Sequence, residues 1–221
     1  MTGRAYYPLF ADLKGRRCVV VGGGRVAERK VTMLLGCGAR VIVISPRATE
    51  RLRRYAGQGK IRFVPRRFRP ADVRGAWLVY AATNDQPINE LVYRTATTQR
   101  IFTNVVDQKP LCSFIAPAIV TRGPLTIAIS TGGASPSLAK RLRRELEGTV
   151  GAEYVPMLRL LAGLRGIAKR RLPSYNGRKR YFDQLVRGRV FRLVQAGRVG
   201  EARRQALALL ERAAGHNGHD R

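Results

Sequence analysis

The sequence Val20-Val21-Gly22-Gly23-Gly24-Arg25-Val26-Ala27 fits the pattern G-x-G-x-x-A, in which glycines connect a buried strand to a helix. Gly22 permits the tight turn, and Gly24 lacks the Cβ that would keep a pyrophosphate away from the backbone. Ala27 lets the helix pack closely on the strand, while the first helical amides are available to phosphate. The pattern indicates a dinucleotide-binding unit. For the motif taken alone, a purely structural glycine turn remains the alternative.

The flanking sequence favours a strand–helix–strand unit around this loop. An apolar run at Arg17–Val21, a helix-compatible stretch at Val26–Leu35 and a second apolar run at Val41–Ile44 follow one another closely. Strands and helices go on alternating to about residue 112, which predicts an α/β Rossmann fold with a doubly wound parallel sheet. The further predicted segments are a helix at Thr49–Ala56, strands at Ile61–Val64 and Trp77–Ala82, a helix at Ile88–Gln99 and a strand at Ile101–Val105.

The pattern changes at residue 113 to a short mixed segment and then to a helical one. Ser135 is predicted to cap a helix that has Pro136 at its first position. The predicted segments are strands at Phe114–Val120 and Leu125–Ser130, a helix reaching Glu147 and stopped by Gly148, and helices broken at Pro173, Gly188 and Gly197. The chain is therefore expected to contain a Rossmann domain (1–112), a mixed segment (113–150), a helical domain (151–214) and a flexible tail (215–221).

The composition is strongly basic. The chain has 42 Lys and Arg against 14 Asp and Glu, a formal net charge of +28, and the excess is spread along its length. Such a field raises the local concentration of anions. Solvated arginine-rich faces and attraction of a polycarboxylate substrate both stay open as explanations. A nucleic-acid partner is not expected, because no basic strand interleaved with aromatic residues and no known binding motif accompanies the charge.

Histidine occurs only near the C-terminus, at His216 and His219. A Ser-His-Asp triad, a His-ligated zinc and a His general base are therefore excluded from the folded body, and proton transfer must use other side chains. The three cysteines, Cys18, Cys37 and Cys112, lack metal-ligand spacing and indicate reduced thiols. No metal site is predicted. The sequence has no apolar run of about 18 residues and no apolar leader, so we expect a cytoplasmic protein without a membrane partner.

The second strand ends without the acidic residue that commonly binds the ribose 2′-hydroxyl of NAD. Ser45, Pro46 and Arg47 occupy that region, and the first carboxylate is Glu50. Arg47 could instead face the 2′-phosphate of NADP. On physical grounds the choice between NAD and NADP stays open.

With these residues in place, the chain resembles the precorrin-2 dehydrogenase / sirohydrochlorin ferrochelatase family of sirohaem synthesis over roughly residues 6–150. Five motifs occur in the family's order, which is far more specific than one glycine loop. They are Tyr7-Pro8-Leu9-Phe10, the run from Val20 to Lys30, Ala81-Ala82-Thr83-Asn84-Asp85, Asn104-Val105-Val106-Asp107 and Ser130-Thr131-Gly132-Gly133-Ala134-Ser135-Pro136.

The resemblance implies an intertwined homodimer in which residues 113–150 form a dimerisation and substrate segment. It implies oxidation of precorrin-2 to sirohydrochlorin with NAD, and some members of the family also insert Fe²⁺ as a second substrate. Because the family uses NAD, we expect NAD rather than NADP despite Arg47. The 221 residues leave no room for a methyltransferase domain, so we expect a separate protein to supply precorrin-2.

The resemblance also implies roles for particular residues. Asp107 is the expected catalytic base; it follows a predicted strand at its carboxyl end, and a turn-capping role is the alternative. The expected cofactor-binding residues are Gly22, Gly23, Gly24, Arg25, Val26, Ser45, Pro46, Arg47, Thr83 and Asn84. The expected substrate-binding residues are Asn104, Ser130, Thr131, Gly132, Gly133 and Ser135. Candidate cations for substrate carboxylates are Arg25, Lys109, Lys140 and Arg141, whereas Lys30 is expected to be structural.

A different class of function stays open beside the enzyme. The Rossmann domain could serve a nucleotide-sensing or nucleic-acid-binding regulatory module, which would bind duplex with a steep dependence on salt.

Overall fold

A computed structural model of the chain describes residues 5–216, which form two compact units. The first unit holds the described residues up to Ala116 together with Gly132–Ala134, and the second holds Pro117–Thr131 and the chain from Ser135 onwards. No helix among the described residues is long and apolar enough to cross a membrane.

The first unit is built on a five-stranded parallel sheet with the strand order β3-β2-β1-β4-β5. This is the doubly wound order of a Rossmann fold, as predicted, and it puts the end of β1 at the centre of the sheet. The strands are β1 (Arg17–Val21), β2 (Arg40–Ile44), β3 (Ile61–Val64), β4 (Leu78–Ala81) and β5 (Phe102–Val105), and the helices are α1 (Arg25–Gly36), α2 (Glu50–Gly57) and α3 (Gln86–Thr98).

Both faces of the sheet are covered, which is why the strands are almost continuously apolar. Val20 of β1 packs in one cluster with Ala27 and Val31 of α1. Val19, its neighbour on the opposite face, packs in a second cluster with Val92 of α3. The burial of Ala27 agrees with the close helix packing that the sequence predicted.

The second unit joins a two-stranded antiparallel ribbon to a helical core. Leu164, Tyr181 and Leu210 are buried at its centre, and the Tyr181 hydroxyl donates a hydrogen bond to the Ala206 carbonyl oxygen at 3.0 Å. The elements are β6 (Ala118–Arg122), β7 (Leu125–Ile129), α4 (Pro136–Thr149), α5 (Tyr154–Arg171), α6 (Tyr175–Arg187), α7 (Arg189–Gln195) and α8 (Val199–His216). The predicted helix breaks at Pro173, Gly188 and Gly197 all lie between these helices.

Most predicted boundaries lie within two residues of the observed ones; the predicted start of a strand at Phe114 and the predicted helix stop at Gly148 are wrong. The strand expected from Phe114 begins only at Ala118, because the backbone of Ser113 and Phe114 is hydrogen-bonded to β5 instead and Pro117 has no N–H to offer. The helix expected to stop at Gly148 continues to Thr149, since a single glycine in a last turn costs only about 1 kcal/mol. Of the predicted tail, residues 215 and 216 end α8, and residues 217–221, with His219, lie outside the described residues.

Candidate functional site

The carboxyl ends of β1, β2 and β4 surround a cleft of about 450 Å³ in the first unit. In open α/β sheets, ligands bind at this edge, where the strand order reverses. The cleft brings together eight of the ten predicted cofactor-binding residues. Its lining residues are Val21, Gly22, Gly23, Gly24, Ile44, Ser45, Pro46, Arg47, Ala48, Arg67, Phe68, Ala82, Thr83, Asn84, Asp85 and Ile88.

Gly22 makes the tight turn that leaves β1. Its φ of 123° is a conformation that favours glycine, and its amide donates a 2.9 Å hydrogen bond to the Ile44 carbonyl oxygen of β2. A Cβ at this position would lie within 3.0 Å of the Ala82 backbone on β4's side. The turn therefore requires glycine for its conformation and for the space between the neighbouring strands.

Gly23 brings the glycine loop against the segment that follows β2. A Cβ here would lie within 3.0 Å of the Arg47 carbonyl oxygen, and the Thr49 amide donates a hydrogen bond to the Gly23 carbonyl oxygen at 2.9 Å. The G-x-G-x-x-A motif leaves this position unspecified, and the resemblance implied only that Gly23 binds the cofactor. Its role depends on a contact between segments more than twenty residues apart, which the motif does not contain.

Gly24 is the N-cap of α1 and faces open space. Its backbone is extended, with a φ of −84°, and a Cβ would meet no protein atom within 4 Å. No side chain caps α1, so its first amides are left to an anion, which the positive end of the helix dipole also favours. A pyrophosphate fits this place because the loop offers amides without a side chain above them.

Thr83 and Asn84 lie across the cleft, on the loop that follows β4. The Thr83 hydroxyl lies 3.0 Å from the Asn89 amide oxygen, and the Asn89 amide nitrogen donates to the Thr83 carbonyl oxygen at 3.0 Å. Asn89 is a buried polar residue of α3, 4% exposed, that sequence reasoning missed. Its position one turn into α3, facing back to the loop, would have been the only signal.

The segment after β3 brings a second arginine to the cleft. Arg67 and Phe68 line it beside Arg47, and neither residue was predicted. Phe68 is buried, while both arginine side chains are exposed. Neighbouring Arg66 makes a bidentate ion pair with Asp72 at 2.8 and 2.6 Å, which fixes this segment.

Arg25 and Val26, the other two predicted cofactor-binding residues, begin α1 without lining this cleft. Arg25 borders a separate depression lined by residues of α1 and of the start of α2. Glu28 lies in that depression and accepts a hydrogen bond from the Thr49 hydroxyl at 2.7 Å.

Asp107 lies in the turn directly after β5 with a φ of 61°, a left-handed conformation that is uncommon for a residue with a side chain. Its exposed carboxylate has no hydrogen-bond partner among residues 5–216, so it does not cap its own turn there. The ammonium group of Lys30 on α1 interacts with it: burial lowers the pKa of Lys30, and the Asp107 charge partly opposes this. The Lys30 Nζ atom lies 4.9 Å from the centroid of the Tyr80 ring.

Asn104 is buried in β5, with its side chain facing another segment of the chain. Its amide nitrogen donates to the Phe114 carbonyl oxygen at 2.9 Å, and its backbone forms an antiparallel bridge with Cys112. These bonds hold residues 112–114 beside β5.

The predicted substrate loop is divided between the two units. In the second unit, the Ser135 hydroxyl accepts a bond from the Leu138 amide at 3.1 Å, so Ser135 caps α4 as predicted; the Thr131 hydroxyl lies 3.2 Å from the Ser135 amide. In the first unit, Gly132 and Gly133 have positive φ values of 62° and 80°. Ser130 follows β7 directly.

No group of three or more His, Cys, Asp or Glu side chains that could hold a metal occurs among the described residues. Cys18, Cys37 and Cys112 form no disulfide with one another, and burial raises the pKa of Cys18 to about 11, which makes that thiol a poor nucleophile.

Three family models match successive parts of the chain. They are described as "Putative NAD(P)-binding" over residues 9–118, "Sirohaem biosynthesis protein central" over residues 122–149 and "Sirohaem synthase dimerisation region" over residues 153–210.

Two siroheme synthases and one solved structure are also similar to most of this chain. The siroheme synthases of Nitrosococcus oceani and Thioalkalivibrio sulfidiphilus are 39% and 41% identical to this chain over 206 residues, 93% of its length. The chain spans only 44% and 42% of those two proteins. The solved structure of SirC, a precorrin-2 dehydrogenase, matches with a TM-score of 0.76 and 27% identity, covering 94% of this chain and 100% of that one.

Proposed function

The chain belongs to the sirohaem synthase and precorrin-2 dehydrogenase family, and on this premise we propose that it oxidises precorrin-2 to sirohydrochlorin with NAD⁺. The observation that carries the proposal is the likeness to SirC, which extends over the whole of that dehydrogenase and 94% of this chain. The alternative of a regulatory nucleotide-sensing or nucleic-acid-binding module gains nothing from the comparisons.

The cleft beside the glycine loop is the proposed cofactor site. Gly22 and Gly23 shape the loop, and the uncapped start of α1 at Gly24 would hold the pyrophosphate. Ser45, Pro46 and Arg47 would border the adenosine ribose on one side, and Thr83 and Asn84 would lie on the other. When bound, the nicotinamide supplies an acceptor for the hydride that leaves precorrin-2. We propose NAD⁺ because the family that the sequence resembles uses it.

Asp107 is the proposed base. Loss of a hydride from carbon must be accompanied by loss of a proton, and the first unit, which carries Asp107, has no histidine in its sequence to accept one. The Asp107 carboxylate is exposed, has no hydrogen-bond partner among the described residues, and stands at the carboxyl end of β5. Its left-handed backbone supports a functional role, because strained conformations cluster at active sites.

The remaining partners follow from the same family membership. We propose a homodimer acting in the cytoplasm, with residues 1–112 binding the cofactor, residues 113–150 serving dimerisation and substrate binding, and residues 151–214 forming the helical domain. The proposed substrate contacts are Asn104, Ser130, Thr131, Gly132, Gly133 and Ser135. The net charge of +28 supports binding of a polycarboxylate tetrapyrrole.

The test is direct. Purified protein, precorrin-2 and NAD⁺ are mixed anaerobically, and the absorbance of sirohydrochlorin and of NADH is followed together. We expect both to rise in equal amounts, and we expect Asp107→Asn to abolish both while the protein stays folded. A folded wild-type protein that forms neither product, with NADP⁺ also tried, would overturn the proposal.

A further inference from the structure

We infer that Arg47 and Arg67 form an anion site at the adenosine end of the cleft that binds a 2′-phosphate, so that the chain takes NADP⁺ as well as NAD⁺. The inference rests on the dinucleotide binding of the proposed function and is independent of the tetrapyrrole. The class of ligand is a 2′-phosphorylated adenine nucleotide.

Arg47 and Arg67 both line the cleft after the carboxyl ends of adjacent strands. Arg47 follows β2, whose carboxyl end borders the adenosine ribose in a doubly wound nucleotide-binding sheet. Arg67 follows β3, the next strand outward, and lines the same cleft. Two guanidinium groups from adjacent strands therefore reach the part of the cleft where NAD and NADP differ.

Both guanidinium groups are available to bind an anion. Over residues 5–216, neither Arg47 nor Arg67 has a carboxylate oxygen within 4.0 Å. Arg66 differs from them, because its guanidinium group forms a bidentate ion pair with the Asp72 carboxylate. Two exposed, unpaired guanidinium groups in one cleft repel each other, and a dianionic phosphate would relieve this while accepting bidentate hydrogen bonds.

Among the described residues that line the cleft, none at the ribose end carries a carboxylate that would oppose a phosphate. The only carboxylate among the lining residues is that of Asp85, on the loop after β4, and it is occupied as the N-cap acceptor of the Ile88 amide at 3.2 Å. Glu50 lines the other depression. An enzyme that discriminates against NADP⁺ commonly places a carboxylate at the end of the second strand, and here that position has none.

Backbone and ion-pair contacts hold the segments that carry the two arginines. The Arg47 carbonyl oxygen packs against Gly23, and the next segment is bonded to the loop through Thr49. Arg67 is adjacent to the ion pair of Arg66 with Asp72, and the Asp72 carboxylate also accepts the Arg69 amide at 2.8 Å. The two side chains therefore extend from anchored positions, which lowers the entropic cost of binding an anion.

The experiment measures binding of adenosine 2′,5′-bisphosphate and of 5′-AMP to the full chain by isothermal titration calorimetry. The two probes differ only in the 2′-phosphate, and neither needs precorrin-2. We expect the bisphosphate to bind at least about tenfold more tightly, and we expect Arg67→Ala to reduce that preference while 5′-AMP binding changes little. Arg47→Ala should weaken binding of both probes, because Arg47 also borders the ribose, and should weaken that of the bisphosphate more. Arg62→Ala is the matched control, because Arg62 is an exposed arginine of β3 that does not line the cleft, and it should leave both affinities unchanged.

The outcomes separate the inference from the proposed function. Equal affinity for the two probes, or a preference that survives loss of both arginines, overturns the inference even if the chain oxidises precorrin-2 with NAD⁺. A preference that depends on the two arginines supports it even if the chain leaves precorrin-2 unchanged. Binding of neither probe by folded protein overturns the inference together with the assignment of the cleft.

Discussion

The Arg47 carbonyl oxygen occupies the place where a side chain at Gly23 would begin, so the glycine loop and the segment after β2 are in direct backbone contact. The Thr49 amide strengthens this contact by donating to the Gly23 carbonyl oxygen. The glycine loop and the segment after β2 are thus held against each other by their backbones. A change at Gly23 should therefore affect both stability and cofactor binding.

The first prediction concerns Gly23→Ala. The added methyl group would displace the Arg47 backbone, and overpacking of this kind costs about 1–3 kcal/mol. We expect a lower free energy of unfolding in urea and weaker binding of NAD⁺ measured by calorimetry. Gly57→Ala is the control, because a Cβ there meets no atom within 4 Å and Gly57 lies in α2, away from the cleft. Unchanged stability of Gly23→Ala would contradict the contact.

The second prediction concerns Gly24→Ala, which should separate the two effects. Gly24 has an extended backbone and open space around it, so alanine should lower the unfolding free energy by no more than about 1 kcal/mol, the cost of a poorer N-cap. The methyl group would nevertheless stand where the pyrophosphate approaches the start of α1. We expect NAD⁺ affinity to fall about tenfold or more. Affinity equal to wild type would mean that the pyrophosphate lies elsewhere.

The glycine loop shows which features of the site the sequence could predict and which it could not. The turn at Gly22 and the open start of α1 follow from a local motif, and the parallel sheet follows from alternating strand and helix patterns. The backbone contact of Gly23 with Arg47 joins segments whose proximity appears only once β1 and β2 are paired. Arg67 and Asn89 were missed for the same reason, since Arg67 lines the cleft and Asn89 contacts Thr83 only through tertiary packing, and neither belongs to a recognisable pattern.

The third prediction uses the left-handed backbone of Asp107. Asp107→Gly should relieve strain and raise the free energy of unfolding by up to about 1 kcal/mol, while it abolishes precorrin-2 oxidation. Arg100 is the matched control, because it is the other described non-glycine residue with a positive φ, 56°, and it follows α3. Arg100→Gly should stabilise similarly and keep full activity. Activity in Asp107→Gly equal to wild type would remove Asp107 from the reaction.

The fourth prediction concerns the pH dependence caused by Lys30. Burial lowers the pKa of Lys30, so at pH values below its ordinary 10.5 the unfolded chain binds this proton more tightly than the folded one. Lys30→Met should therefore be more stable than wild type near neutral pH. This difference in unfolding free energy should shrink as the pH rises from the lowered pKa of folded Lys30 towards 10.5. Urea unfolding at several pH values measures it. Lys60→Met is the control, because Lys60 is exposed although its ammonium also lies over a tyrosine ring, that of Tyr55. A difference that grows with pH would show that Lys30 gains a proton on folding.

The last prediction tests the ion pair that anchors Arg67. Hydrogen bonding from Arg66 holds the pKa of Asp72 below its ordinary 3.8, with the Arg69 amide assisting, so the carboxylate stabilises the fold above that pH. The stabilisation should disappear as the pH falls through the lowered pKa, because the Asp72 carboxylate is protonated at a lower pH in the folded chain than in the unfolded chain. Asp72→Asn should lose about 1–3 kcal/mol of unfolding free energy near neutral pH and approach wild-type stability in acid.

The same variant should weaken binding of adenosine 2′,5′-bisphosphate more than that of 5′-AMP, because the segment that carries Arg67 loses the ion pair of Arg66 with Asp72. An equal loss for both nucleotides would show that the ion pair supports the cleft as a whole and not the arginine site.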